Sequence, residues 1–138
     1  MMPELHPQEH SGPILAILTM DDPEKGFRGN RRNFMDLIET GKSAGVLVYV
    51  TTVYHLKLHN KRIIGYTYDS VKNSWERRFF PLPSVVYNRI PERADEWTPE
   101  VRGKLDECMR HPVIKLFNPG FFNKWTLFKW LSQSRRTK

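Results

Sequence analysis

An α/β fold with a mainly parallel sheet, flanking helices and an inserted β-hairpin is what this sequence predicts. Three observations carry that reading. Short, almost fully apolar runs recur at 13–19, 46–50, 84–87 and 113–117, the pattern of strands buried on both faces. Helical spacing follows the first and the third of these runs. Between the second and third, two stretches at 62–68 and 75–80 flank a cluster of turn formers. They read as an antiparallel hairpin solvated on one face.

The elements follow in order. Residues 1–12 read as a flexible leader. The run 13–19 ends in a turn-rich loop, 20–29, and Asn30 is a good N-cap for the helix after it. Phe34, Leu37, Ile38, Gly41 and Gly45 fall at helical spacing. Gly41 implies close approach to the sheet, and Gly45 a C-terminal cap. Strand, helix and strand 46–50 make a βαβ unit. A short helix or loop, 53–59, leads to the hairpin. Pro81 and Pro83 break the chain before the third core strand. Thr98 and Pro99 start a second helix as N-cap and first helical residue. Val101, Leu105, Cys108 and Met109 are its expected buried face, and His111-Pro112 closes it. The fourth core strand is 113–117. The resulting order is Rossmann-like, within a domain spanning 13–117. Residues 118–134 read as a terminal helical segment rich in aromatics, and 135–138 as a basic tail.

Length and composition suit a single folded domain. The chain has 138 residues, of which 39% are apolar and 12% aromatic, which excludes a disordered polymer. A net charge of +7 favours anionic partners without choosing among them. Arg135, Arg136 and Lys138 place three of those charges on the tail. The single cysteine, Cys108, forbids an internal disulfide and fits a reducing compartment. Its neighbours Asp106 and Glu107 disfavour a thiolate, so it is not read as a nucleophile. No apolar run reaches membrane-spanning length.

Three places can carry chemistry. The loop Lys25-Gly26-Phe27-Arg28-Gly29-Asn30-Arg31-Arg32 joins a buried strand to a helix N-terminus, where free amides and the helix dipole favour anions. Arg28, Asn30, Arg31 and Arg32 are its candidate contacts. The loop lacks the ending of a phosphate-loop motif. Asn88 and Arg89 stand at the carboxyl end of the third strand, with Pro91 holding the chain extended beyond them. An arginine there suits a carboxylate or phosphate, unless it pairs with Asp95 or Glu96. Lys124 is the third candidate, a point charge that could reach a phosphate. His55 and His59 lie four apart but have no third ligand nearby, so no metal site is read. No catalytic residue is assigned.

Several blocks resemble a known family. They are Phe27-x-Gly29-Asn30-Arg31-Arg32-x-Phe34, the hairpin reaching Trp75 and Phe79 to Pro81, Val85-Val86-Tyr87-Asn88-Arg89-Ile90-Pro91, and Phe117-Asn118-Pro119-Gly120-Phe121-Phe122-Asn123-Lys124-Trp125. Together they resemble the N-terminal part of the YheC/YheD-type endospore coat-associated proteins, which look like members of the ATP-grasp superfamily. The order of elements is similar, more remotely, to that of glutathione synthetase-like ligases. The resemblance implies a pre-ATP-grasp domain on the substrate side of a carboxylate–amine ligase-like protein, with Arg89 facing substrate and Lys124 holding nucleotide phosphate. ATP and magnesium are implied by the family only. By the same resemblance 118–134 begins the ATP-grasp region, whose remaining phosphate lysine, adenine linker and magnesium ligands are not among these residues. The expectation is therefore no catalysis by this chain alone. Partners would be the missing ATP-grasp domain or a second copy, through Trp125, Phe128, Trp130 and Leu131, or spore coat proteins, and no membrane. The expected setting is the cytoplasm of a spore-forming bacterium, with coat association. Two alternatives stay open: a non-catalytic coat interaction module docking through the aromatic helix, and a nucleic-acid binder suggested by the basic charge.

Overall fold

The computed structural model of the chain describes residues 12–117 together with 128, 129 and 131. The expectations placed on most of the leader, on the block from Asn118 to Trp125, on Trp130 and on the tail lie outside these residues.

Strand β1 (Ile14–Thr19) is central and wholly buried from Leu15 onward. Leu15 and Ile17 point into one core cluster and Ala16 and Leu18 into another. Two covered faces explain the unbroken apolar run. A miniature hairpin follows, β2 (Asp21–Asp22) with β3 (Gly26–Phe27). Helix α1 (Arg31–Ala44) starts where Asn30 accepts a hydrogen bond from the Asn33 amide at 3.1 Å and ends at Gly45. Its buried residues are Phe34, Leu37, Ile38 and Gly41, as the spacing predicts. A Cβ on Gly41 would stand 2.5 Å from Val48 Cγ2 and 2.7 Å from the Val46 carbonyl oxygen. The helix can approach the sheet this closely only through a glycine.

Strand β4 (Leu47–Thr52) lies parallel to β1. The hairpin, β5 (Arg62–Asp69) and β6 (Ser74–Pro81), is joined to β4 antiparallel through Val50 and Tyr66. Strand β7 (Val85–Asn88) pairs parallel with the other side of β1. A 3-10 helix (Arg93–Trp97) and α2 (Pro99–Arg110) lead to β8 (Lys115–Phe117), parallel to β7. The sheet order is β6-β5-β4-β1-β7-β8. Four parallel strands with an antiparallel hairpin on one edge match the predicted architecture. Helix α1 packs on one face and α2 on the other.

Four details differ from the sequence reading. The hairpin packs on both faces: Tyr66, Tyr68 and Trp75 lie against the α1-side core, while Ile63 and Phe80 belong to the α2-side core. Phe27 explains part of this, with its ring 5.0 Å from both Tyr66 and Trp75. Met109 is 57% exposed, and Cys108 takes the buried place beside Leu105. The last strand starts at Lys115, because the amides of Val113 and Ile114 donate to His111 Nδ1 in the turn that closes α2. Phe128 and Leu131 are buried in the α1-side core of this same chain, so neither supplies exposed docking surface.

Burial pushes the Cys108 thiol up to about 11. An unfolded chain ionises a thiol near its ordinary value, about 8.5. The folded chain holds the proton longer, so stability is intact below that pH and falls as pH rises toward the folded value. Chemical denaturation between about pH 8 and pH 11 should show a steeper loss for the natural chain than for Cys108→Ala. Parallel slopes would contradict the burial of this thiol.

Candidate functional site

Neighbouring strands β1 and β7 send their connections in opposite directions. After β1 the chain crosses one face through α1 to β4. After β7 it crosses the other face through α2 to β8. The carboxyl ends of β1 and β7 therefore flank the point where the strand order reverses, which is where open α/β sheets bind ligands. A cavity of about 350 Å³ lies there, lined by Gly29, Asn30, Phe34, Arg89, Ile90 and Pro91. The fold thus brings together two of the three stretches singled out in the sequence.

The first wall is the loop after β1. Asp22 Oδ1 accepts from the amides of Lys25 and Glu24, which lowers that carboxyl below its usual range. Thr19 Oγ1 donates to the Arg28 carbonyl at 2.9 Å, and the Arg28 amide donates to the Met20 carbonyl at 2.9 Å. The loop is thereby fixed to the end of β1. Gly29 follows at φ +112°, where a Cβ would meet the Phe34 ring at 2.7 Å. Asn30 lines the cavity while its side chain caps α1.

The four arginines near this edge have different roles. Arg31 donates to the Phe27 and Lys25 carbonyls and lies 3.9 Å over the Phe27 ring. It staples the loop to α1 and does not line the cavity. Arg28 pairs with Asp95 at 3.9 Å. Arg32 is exposed. Arg89 lines the cavity and is half-buried. Its amide donates to the Leu18 carbonyl at 2.8 Å, which registers the strand end, and its guanidinium stands 5.7 Å from the Tyr87 ring. Among the described residues no carboxylate reaches it within ion-pair distance. The sequence alternative that Asp95 or Glu96 neutralises Arg89 is not what the fold does: Asp95 takes Arg28, and Glu96 takes Asn88.

Asn88 is buried, with its Nδ2 donating to Glu96 Oε2 at 3.2 Å and its Oδ1 accepting from the Ile90 amide at 3.1 Å. Its part is to shape the chain into Arg89 and Pro91. Lys124 lies outside the described residues. Sequence reasoning missed Phe34 and Gly29 as cavity walls and Asp95 as the partner of Arg28. Gly29 carried the usable signal, a glycine directly before a helix N-cap. His55 accepts or donates through Nδ1 to Thr52 Oγ1 at 3.1 Å, and desolvation lowers its pKa. A wider crevice of about 530 Å³ lies at the ends of β1 and β4, where Asp21 and Glu100 oppose Lys104. That lysine is already paired with Glu107 at 2.8 Å.

Chemically, among the described residues the switch-point cavity offers one cation without a carboxylate partner, apolar walls from Phe34 and Ile90, and a helix N-terminus at its rim. Among the described residues its lining holds no acid/base pair and no nucleophile. Comparison with known proteins adds one relative. The chain is 30% identical over 131 residues to the endospore coat-associated protein YheD of Bacillus subtilis (strain 168). The match covers 93% of this chain but only 28% of that relative. No protein-family model matches the chain, and no solved structure does. No helix among the described residues is long and apolar enough to cross a membrane.

Proposed function

We propose that this chain is the N-terminal, substrate-side α/β domain of an ATP-grasp-type, endospore coat-associated protein, and that its switch-point cavity holds the anionic group of a substrate against Arg89. One observation carries this reading: Arg89, without a carboxylate partner among the described residues, lines a cavity at the crossover of the sheet. The similarity to the coat-associated relative supports the setting. The chain spans less than a third of that relative, so carboxylate activation and ligation are proposed for the longer protein.

The described residues fit the substrate anion better than they fit ATP with magnesium. The cavity lining supplies one cation and no acidic metal ligand, whereas a triphosphate–magnesium group needs several charges and oxygen ligands. Lys124 remains the proposed phosphate contact, from the family resemblance. These 138 residues alone are expected to turn over no ATP. Turnover that persists in Lys124→Ala would place the phosphate contact elsewhere. The coat-docking alternative is narrowed to Trp125 and Trp130, because Phe128 and Leu131 are buried in the core. A nucleic-acid surface has no comparable support.

The test is a titration with benzoate, a small carboxylate with an apolar body, followed by NMR on the natural chain and on Arg89→Met. The variant keeps the stem of the side chain and removes the charge. It should lose benzoate binding by at least about tenfold, the scale of one charge-assisted contact, with an unchanged melting temperature. Equal affinities would remove Arg89 from the site.

A further inference from the structure

The charge balance around the cavity points to a selectivity device: we propose that Asp95 limits this site to singly charged anions. The inference rests on the assignment of Arg89 as the anion contact and adds what sets the charge of the ligand.

One arginine stands in the lining and a second directly beside it in the chain. Arg89 lines the cavity, and Arg28 immediately precedes the lining residue Gly29. Arg28 Nη1 lies 3.9 Å from Asp95 Oδ2. That pair joins the connection after β1 to the connection after β7. Asp95 is held there by its backbone, since its carbonyl accepts from the Thr98 amide at 3.2 Å and from Thr98 Oγ1 at 2.8 Å. Its neighbour Glu96 is tied to Asn88. The Asp95 Oδ2 atom is shielded from solvent yet accepts no hydrogen bond. The contribution of this oxygen is therefore charge, and the charge it offsets is that of Arg28.

Arg89 is then the one charged side chain lining the cavity among the described residues, while Arg28 beside it is already paired. A carboxylate matches that one charge. A phosphate monoester at neutral or higher pH carries nearly two charges, and its second charge would find Arg28 already paired with Asp95. Replacing Asp95 by Asn keeps the shape, removes the charge and frees Arg28 as a second cation. Because Oδ2 accepts no hydrogen bond, the substitution takes away no bond of that atom.

The experiment titrates benzoate and phenyl phosphate at pH 8 and low salt into the natural chain, Asp95→Asn, Asp95→Glu and Arg89→Met. The natural chain should prefer benzoate. Asp95→Asn should shift the ratio toward phenyl phosphate by about fivefold, the upper scale of a half-exposed ion pair, with benzoate affinity rising less than that of the doubly charged probe. Asp95→Glu should restore the natural ratio. An unchanged ratio in Asp95→Asn, with binding still lost in Arg89→Met, overturns the selectivity role and leaves the anion site standing. Binding that survives Arg89→Met, or no binding of either probe by the natural chain, overturns the anion site and the selectivity with it.

Discussion

Leu131→Ala should destabilise the chain by about 2–5 kcal/mol, and Phe128→Ala by about 3–5 kcal/mol, the range for large-to-small changes in a closed core. Leu131 is fully buried and Phe128 is 4% exposed. Both join the cluster that contains Leu15, Ile17, Phe34, Val85 and Tyr87. These are residues of α1 and of the two strands that flank the cavity, so loss of packing here bears directly on the site. A docking helix makes the opposite prediction. Truncating a side chain that waits for a partner would change the stability of the isolated chain by less than about 0.5 kcal/mol. Urea denaturation of the natural chain and the two variants separates the readings. A small effect from both substitutions would return this segment to the docking surface that the sequence suggested. A large effect from both makes residues up to 131 part of the fold that supports Arg89.

The contrast between α1 and that terminal segment explains what was legible. Helix α1 announces itself through short-range chemistry. Asn30 caps its own helix, Gly45 ends it, and Phe34, Leu37 and Ile38 repeat on a narrow stripe. The strand that delivers Arg89 is equally plain, an apolar run stopped by Asn88 and Pro91. In 125–131 apolar residues ring the expected helix, and such a pattern does not say which side meets the core. Cys108 and Met109 pose the same problem on a smaller scale. Both fit the spacing set by Leu105, and only the placement of α2 on the sheet buries Cys108 and exposes Met109. The arginines were the hardest to separate. Arg28, Arg31 and Arg32 are chemically alike in the sequence. The turn at Gly26 brings the carbonyls of Lys25 and Phe27 under Arg31, and the distant 3-10 helix brings Asp95 to Arg28. Pairing across such a sequence separation has no local signature.

Gly29→Ala should damage fold and site together. The residue sits at φ +112°, a conformation that costs an L-residue about 1–3 kcal/mol. Strain is only the first term. The new methyl would lie 2.7 Å from Cε2 and Cζ of Phe34, and Phe34 is 1% exposed within the α1-side core. The ring has little room to retreat, so either α1 shifts or the loop lifts away from Thr19. Both movements change the cavity, because Gly29, Asn30 and Phe34 form one of its walls. Benzoate affinity should therefore fall by more than about tenfold, which a loss of 1.4 kcal/mol already produces, alongside a lower urea midpoint. Gly103→Ala is the matched control. That glycine lies within α2 with nothing within 4 Å of an added Cβ, and helix propensity favours alanine there by about 0.8–1 kcal/mol. The control should gain stability and keep full affinity. If Gly29→Ala behaves like Gly103→Ala, the loop after β1 does not wall the cavity, and the anion site must be carried by the Arg89 side alone.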